Sequence, residues 1–359
     1  MKTVTGRVPV RIDLAGGTLD IWPIHLTLRE PGVTVNVAVD VPATVTVERT
    51  DGTAVRVEVR GAAGGAPVVS NFATMADVRA SFRDGTDSNK LFTRAIEALV
   101  PEGGISLSAK ASAPQGSGLG GSSALLACAV ATLSHAVGRP LEWEAVRRIS
   151  QDLETWVIRG PTGYQDYYPP LFGGCLALEG RAGGVVVEKL PVNLEALAKR
   201  VRLVYTGAPH HSGITNWGAM RAYFDGERQT VECVERIAEL SRLVRDAMRR
   251  GDLEGALAHV VEEGQVRLRM APGVATEGIH ALDRAVRAAG ALGTKVLGAG
   301  GGGCVLVVLR DEREPAGLAD ALRTGGATPI AVRLPPEGLV LVAQEGGGER
   351  EDRRKVAAR

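Results

Sequence analysis

Pro114-Gln115-Gly116-Ser117-Gly118-Leu119-Gly120-Gly121-Ser122-Ser123-Ala124 opens directly into the apolar run Leu125-Leu126-Ala127-Cys128-Ala129-Val130-Ala131. Four glycines and three serines ahead of a strong helix former read as a phosphate cradle. Glycine brings the backbone close to an anion and takes positive φ, and the first helical turn offers unpaired N–H groups and the positive end of its dipole. A glycine-rich turn by itself also fits a plain strand-to-helix connection, so its meaning rests on its company.

Upstream, Ile105 to Ala111 reads as a strand feeding the loop. Val33, Val35, Val37, Val39 and Val41 alternate with polar or small residues, and Val45-Val47 and Val55-Val57-Val59 repeat the period of two expected of half-buried strands. Downstream, the helix that follows the loop should end near Gly138-Arg139-Pro140. A second helix is expected over Trp143 to Ile158, with Val146, Ile149, Leu153 and Trp156 along one stripe and Glu154 near its C-terminal end. Trp143 and Trp156 both read as core residues. Cys175 to Leu190 reads as a hairpin about Arg181-Ala182-Gly183-Gly184, and Pro191-Val192-Asn193 as the passage into a second domain.

The second half carries a strand over Arg202 to Tyr205, helical patterns over Thr230 to Arg249, Leu253 to Arg267 and Ile279 to Leu292, and strands at Lys295-Leu297, Cys304-Leu309 and Ile330-Leu334. Such alternation gives an α+β chain of two layered domains. The expected boundaries are 1–191 for an N-terminal nucleotide-binding domain and 192–344 for a C-terminal one. A mobile tail is expected over 345–359, where glycine and charge take over. No internal repeat at a fixed period is present.

Composition narrows the function. The chain has 359 residues, enough for two cores, and 42 Lys plus Arg against 41 Asp plus Glu, a balance that favours neither nucleic acid nor an anionic membrane. Small-molecule chemistry is the better expectation. The N-terminus lacks the apolar core of a signal peptide and no apolar run approaches the ~20 residues of a membrane span, so a cytoplasmic protein is expected. Cys128, Cys175, Cys233 and Cys304 are scattered singly and read as small core residues without metal or disulfide. His210-His211 is read as part of a loop, because adjacent side chains point apart and chelate one ion poorly.

Three further clusters accompany the loop. Val8-Pro9-Val10-Arg11-Ile12-Asp13-Leu14-Ala15-Gly16-Gly17-Thr18-Leu19-Asp20 sets a cation and carboxylates beside a Gly-Gly turn. Pro161-Thr162-Gly163-Tyr164-Gln165-Asp166-Tyr167-Tyr168, backed by Phe172-Gly173-Gly174, puts an aspartate in an aromatic, glycine-rich loop. Lys295-Val296-Leu297-Gly298-Ala299-Gly300-Gly301-Gly302-Gly303-Cys304 is a second glycine loop between apolar strands.

In this order the clusters resemble the GHMP kinases, the family of galactokinase, homoserine kinase, mevalonate kinase and phosphomevalonate kinase. Within it they look most like the branch of sugar 1-kinases such as heptose 7-phosphate kinase and fucokinase. The resemblance implies an N-terminal ribosomal-protein-type α/β domain, a C-terminal ferredoxin-like domain, and a site in the cleft between them that uses ATP and Mg²⁺. It implies nucleotide contacts from Pro114, Gly116, Ser117, Gly118, Leu119, Gly120, Gly121, Ser122 and Ser123. Asp166 falls at the position of the aspartate that accepts the acceptor's hydroxyl proton, Arg11 at that of the basic side chain orienting it, and Glu154 at that of a Mg²⁺-binding glutamate. Ser122 or Ser123 would add the hydroxyl ligand. The acceptor is expected against Gly17, Asp20, Gln165, Tyr168 and Gly300. Galactokinases carry an acidic sugar ligand where this chain has Gly17, so their hydroxyl contacts are not all reproduced.

Phosphoryl transfer asks for positioning and for charge neutralisation by backbone N–H groups, one hard cation and one basic side chain, which suits this inventory. Taken singly, Arg11 and Asp20 also fit a surface ion pair, Glu154 a solvated helix end and Gly298–Gly303 a tight hairpin. Three readings follow: a kinase for a sugar or sugar phosphate, monomeric or homodimeric; a kinase or decarboxylase of the mevalonate route, which would need a basic patch; and a non-catalytic sugar or nucleotide sensor. Tyr164, Tyr167 and Tyr168 are open to lining a sugar pocket, and Gly207 to Trp217 to bordering the acceptor.

Overall fold

The computed structural model describes residues 3–208, 212–271, 273–345 and 348–352. Its spine is an antiparallel pair, β1 (Thr3–Ala15) and β2 (Val33–Arg49), in register from Thr3 opposite Glu48 to Ala15 opposite Val35. The alternating valines from Val33 to Val47 lie in β2, yet Thr34, Asn36 and Ala38 between them are buried as well. The Gly121–Ala136 and Arg228–Arg249 helices pack against both strands, and the Leu253–Arg267 helix packs against β1. Covered on both sides, β2 is a central strand with buried polar positions.

The remaining strands of the first sheet are β3 (Val55–Arg60), β4 (Val68–Phe72), β5 (Ile105–Ala111), β6 (Cys175–Arg181) and β7 (Gly184–Lys189). The second sheet holds β8 (Val201–Tyr205), β9 (Gly293–Val296), β10 (Cys304–Val308) and β11 (Thr328–Ile330) in the order β11-β8-β10-β9. After β11 the chain returns: β12 (Val340–Glu345) pairs antiparallel with β1, Thr3 opposite Gln344, and β13 (Gly348–Asp352) pairs with β12. The first sheet therefore runs β13-β12-β1-β2-β5-β3-β4, with β6 also on β2 and β7 on β6.

This return corrects two expectations. A second domain running unbroken to 344 is overturned, because residues 340–345 belong to the first sheet. The tail expected from 345 onward contains a strand over Gly348–Asp352. An unpaired β1 edge would leave a row of backbone donors and acceptors open, and a strand from the far end of the chain fills it. The strand expected over Ile330–Leu334 ends at Ile330; the chain before Pro335-Pro336 instead bonds back to the first sheet, Asp40 N–H donating to Arg333 O at 2.8 Å.

Four apolar clusters form among the described residues. The larger of the two main ones holds the valines of β1 and β2, the alanines of the Gly121–Ala136 helix and residues from the second half, including Val260, Leu297 and Cys304. The next lies under the second sheet, around Val286, Val305, Val307 and Leu318. Sharing of the larger core ties the two halves together at the glycine loops.

Candidate active site

β5 leads through the glycine loop to a helix whose N-cap, Gly120, is left-handed at φ 68°. Gly116 and Gly118 also take positive φ, at 65° and 75°. Three of the glycines are thus required by conformation, and no side chain caps the helix, so its N-terminal donors face the loop. Three bonds fasten the loop from outside: Arg11 N–H donates to Leu119 O at 3.2 Å, the Arg11 guanidinium donates to Gly118 O, and Cys304 N–H donates to Ser117 O at 2.7 Å. Leu119 and Ser117 are buried, so they anchor the loop in the core while its glycines remain reachable.

The last of those bonds brings in the second glycine loop. Gly303 N–H donates to Ala208 O at 2.7 Å and Gly301 N–H to Val274 O at 2.8 Å, with Gly300 at φ 78°. A Cβ on Gly300 would lie 2.7 Å from Val274 Cγ1. Gly300, expected to touch the acceptor, is instead buried against Val274 and shapes the loop.

Asp166 stands at the mouth of the glycine loop, where a Cβ on Gly120 would be 3.1 Å from its carboxyl carbon. Its Oδ1 accepts from Arg11 Nε at 2.8 Å and lies 2.6 Å from Arg11 Nη2. Arg11 is buried, whereas the Asp166 side chain keeps 28% of its surface exposed, so the pair has one fixed partner and one open one. A two-pronged guanidinium contact fixes direction as well as charge.

Behind them, Glu154 Oε2 accepts from Ser123 Oγ at 2.7 Å and from Tyr167 Oη at 2.5 Å. Burial pushes the Glu154 carboxyl up, the Tyr167 and Ser123 bonds pull it back, the Asp166 charge raises it again and a bond from Ser122 lowers it. Both serines therefore reach the same glutamate at the helix N-terminus.

Asp20 is buried beneath the aspartate loop, its carboxylate accepting from Gln165 N–H at 3.1 Å and Gln165 Nε2 at 3.3 Å. A Cβ at Gly163 would come within 1.7 Å of Asp20 Oδ2, so glycine is what permits the approach. Burial foremost, then the Asp166 charge, raises the Asp20 carboxyl to about 7. The absence of an acidic side chain at Gly17 has a local cause: a Cβ there would meet Asp13 Oδ2 at 2.2 Å.

The tyrosines do not line the acceptor site. Tyr168 is buried, with its hydroxyl donating to Glu144 at 2.9 Å and its ring stacked on Phe172, so its expected sugar contact is overturned. Tyr164 packs edge-on against His25 and Tyr168. Amphipathic rings at the base of a loop serve here as core, because the aspartate loop folds over them.

Two sequence-family models match. The model described as GHMP kinases N terminal domain covers residues 90–174 and the one described as GHMP kinases C terminal covers 244–328. The chain belongs to the GHMP kinase family. It is an ATP-dependent small-molecule kinase. A mevalonate kinase of Thermococcus sibiricus is 26% identical over 257 residues, 68% of this chain and 71% of that one. A bifunctional fucokinase/GDP-fucose pyrophosphorylase of Arabidopsis thaliana is 24% identical over 88% of this GHMP kinase, which spans 30% of that protein. Among solved structures, a D-glycero-D-manno-heptose 1-phosphate kinase of Bacteroides thetaiotaomicron superposes with TM-score 0.70 at 20% identity, covering 94% of this chain and 97% of that one. The galactokinase of Lactococcus lactis gives TM-score 0.70 at 16% identity over 94% of each chain. These structural likenesses show the shared fold.

Some features of this GHMP kinase escaped sequence reasoning. Trp156, expected in the core, is exposed and lies over the Arg94 guanidinium at 3.6 Å, with Phe82 on the other face at 3.5 Å. Its stripe position pointed inward, but the last turn of the helix extends past the core into an open cleft that Lys90 and Arg159 also line. Glu263 and Arg267, four residues apart on a helix and not singled out in the sequence, are fully buried beside the Gly16–Asp20 turn. His210-His211, read as loop, lies outside the described residues, and Ser212–Phe224, part of the stretch left open between an acceptor border and a loop, is helix. Among the described residues no helix is long and apolar enough to cross a membrane.

Proposed function

We propose that this GHMP kinase transfers the γ-phosphoryl group of ATP to the anomeric hydroxyl of a sugar or sugar phosphate, heptose 7-phosphate-like, releasing ADP and a glycosyl 1-phosphate. The observation that carries the reading is the Arg11–Asp166 pair at Gly120: a carboxylate gripped and aimed by a buried guanidinium, at the lip of the glycine loop. As the acceptor oxygen bonds to phosphorus, its proton passes to Asp166, and the bond from phosphorus to the ADP oxygen breaks. Arg11 keeps Asp166 in place and balances charge. The N-terminal donors of the Gly121–Ala136 helix receive the phosphate oxygens.

Glu154 with the hydroxyls of Ser122 and Ser123 suits Mg²⁺, a hard ion that takes few protein oxygens and completes its shell with phosphates and water. When bound, that ion would neutralise charge between the phosphoryl groups. Asp20, buried beneath Gln165, fixes that residue at the acceptor side through its backbone and side-chain amides.

Charge separates the sugar reading from the mevalonate reading, which the curated relatives keep open. A mevalonate carboxylate calls for an unpaired cation. Around the acceptor loop the described cations are all engaged: Arg11 by Asp166, and Arg267 and Lys295 by Glu263 and Asp13. A neutral polyol end fits that lining better. Incubation with ATP, Mg²⁺ and a panel of sugars, sugar phosphates and mevalonate, followed by phosphorus NMR, should show a product signal coupled to an anomeric proton. Turnover of mevalonate alone would overturn the sugar assignment, and binding without turnover of any acceptor would favour a sensor.

A further inference from the structure

We propose that a buried four-charge cluster, Asp13, Glu263, Arg267 and Lys295, is a clamp by which the second half of the chain holds the Gly16–Asp20 acceptor loop in its working shape. The assignment of that loop to the acceptor rests on the function proposed above. None of the four side chains touches the reacting atoms; they are positioning residues.

The contacts are specific to the loop backbone. Arg267 Nη2 donates to Gly17 O at 2.8 Å and to Glu263 Oε1 at 2.6 Å, and Nη1 reaches Thr18 Oγ1 at 3.4 Å. Gly16 N–H donates to Glu263 Oε1 at 3.2 Å. Lys295 Nζ bonds the other oxygen, Glu263 Oε2, and stands 3.8 Å from Asp13 Oδ2, as does Arg267 Nη2. All four side chains are at most 1% exposed. Two cations and two carboxylates leave the cluster neutral. Burial drives the Glu263 carboxyl up, but the charges of Arg267 and Lys295 prevail and hold it well below the usual carboxylate range.

Why charges at all? For stability alone, well-packed apolar side chains of similar volume serve as well or better than a buried ion cluster. What they lack is donors and acceptors for a peptide N–H and a carbonyl. The loop needs such a hold, because Thr18, a β-branched residue, sits at φ 84°, where only glycine is comfortable. The turn is tight, Leu19 N–H donating to Gly16 O at 3.1 Å and Ile21 N–H to Thr18 O at 3.2 Å, and it delivers Asp20 beneath Gln165. The clamp reaches the loop because Gly264 lets its helix press on β9: a Cβ there would lie 2.7 Å from Thr294 O and 3.1 Å from Lys295 Cβ.

The test uses the charge-balanced double variant Asp13→Asn/Arg267→Met, which keeps the Glu263–Lys295 pair, and the charge-conserving single variant Arg267→Lys. Hydrogen exchange on the full chain should show protection of residues 16–20 falling at least tenfold in the double variant, while the Gly121–Ala136 helix is unchanged. With whichever of galactose, fucose, D-glycero-D-manno-heptose 7-phosphate or mevalonate the wild type phosphorylates, the acceptor KM should rise tenfold or more. Affinity for a non-hydrolysable ATP analogue should stay within twofold, and kcat within threefold. Arg267→Lys should move the same quantities in the same direction by less, and it decides the matter if the double variant does not fold. Unchanged protection of 16–20, an unchanged acceptor KM, or a parallel loss of nucleotide affinity would each overturn the clamp. If the wild type phosphorylates only mevalonate or none of the four, the function reading fails, and the exchange measurement still decides the clamp.

Discussion

Replacing Asp20 by Asn should make the ligand-free protein more stable at neutral pH while weakening acceptor binding. Asp20 is 1% exposed, and its carboxyl is raised from the ordinary 3.8 to about 7, first by burial and then by the Asp166 charge. Between those two values the folded state holds a proton that the unfolded chain has lost, so stability falls as pH rises from about 4 to about 7. A shift of that size corresponds to at most about 4 kcal/mol from this one group. Asn has no charge to desolvate, and the surroundings accept it. Its oxygen can keep the Gln165 N–H, and its amide can meet the Gln165 side-chain oxygen, which has no hydrogen-bond partner among the described residues, once that amide turns over. Urea unfolding of both proteins at several pH values between 4 and 8 measures the effect. The stability difference should be near zero at pH 4 and grow in favour of Asp20→Asn up to pH 7. A difference that is flat across this range would refute the reasoning, because the carboxyl would then titrate alike in both states.

Asp166→Asn should lower kcat by ~10²–10⁴-fold, the contribution of a positioned base, with nucleotide affinity retained; adding Arg11→Met should cost little more, since residues acting as a unit are not additive. Glu154→Gln should move the Mg²⁺ dependence of the rate to higher concentration, read from initial rates across a Mg²⁺ titration; an unchanged midpoint would remove Glu154 from the ion site. Gly120→Ala should lose about 1–2 kcal/mol of stability through its left-handed φ of 68° and reduce kcat as well, because the new methyl presses on Asp166 at 3.1 Å. Gly118→Val, if folded, should lose ATP affinity in a calorimetric titration, and undiminished affinity would take the loop out of the nucleotide site.

Local signals carried much of the assignment. The phosphate loop was readable because positive φ and an open helix N-terminus are properties of neighbouring residues, and the structure uses glycine at Gly116, Gly118 and Gly120 for that reason. The helices over Arg228–Arg249 and Leu253–Arg267 followed from apolar spacing and ended within two residues of where the pattern placed them. Arg11 and Asp166 were singled out by motif, although 155 positions separate them in the chain. Their two-pronged contact could be stated only once β1 and the aspartate loop had been brought together.

What the chain alone determined about this GHMP kinase is its inventory and its local geometry: which turn has glycines at positive φ before an open helix N-terminus, which segments bury one face, and which side chains are candidates for the chemistry. Burial of the amphipathic residues was decided elsewhere. Tyr168 went into the core, Trp156 came out to stack on Arg94, and the strand at Val340–Glu345 crossed back to β1, each because of a partner far away in sequence. Arg267 shows the reason most plainly. Four residues after Glu263 on a helix, it has the spacing of a surface ion pair, and only contact with Gly17, 250 positions earlier, ties it to the Gly16–Asp20 turn. Periodicity reports that a residue has a face, whereas what that face meets depends on contacts that close long loops, and those exist only in the folded chain.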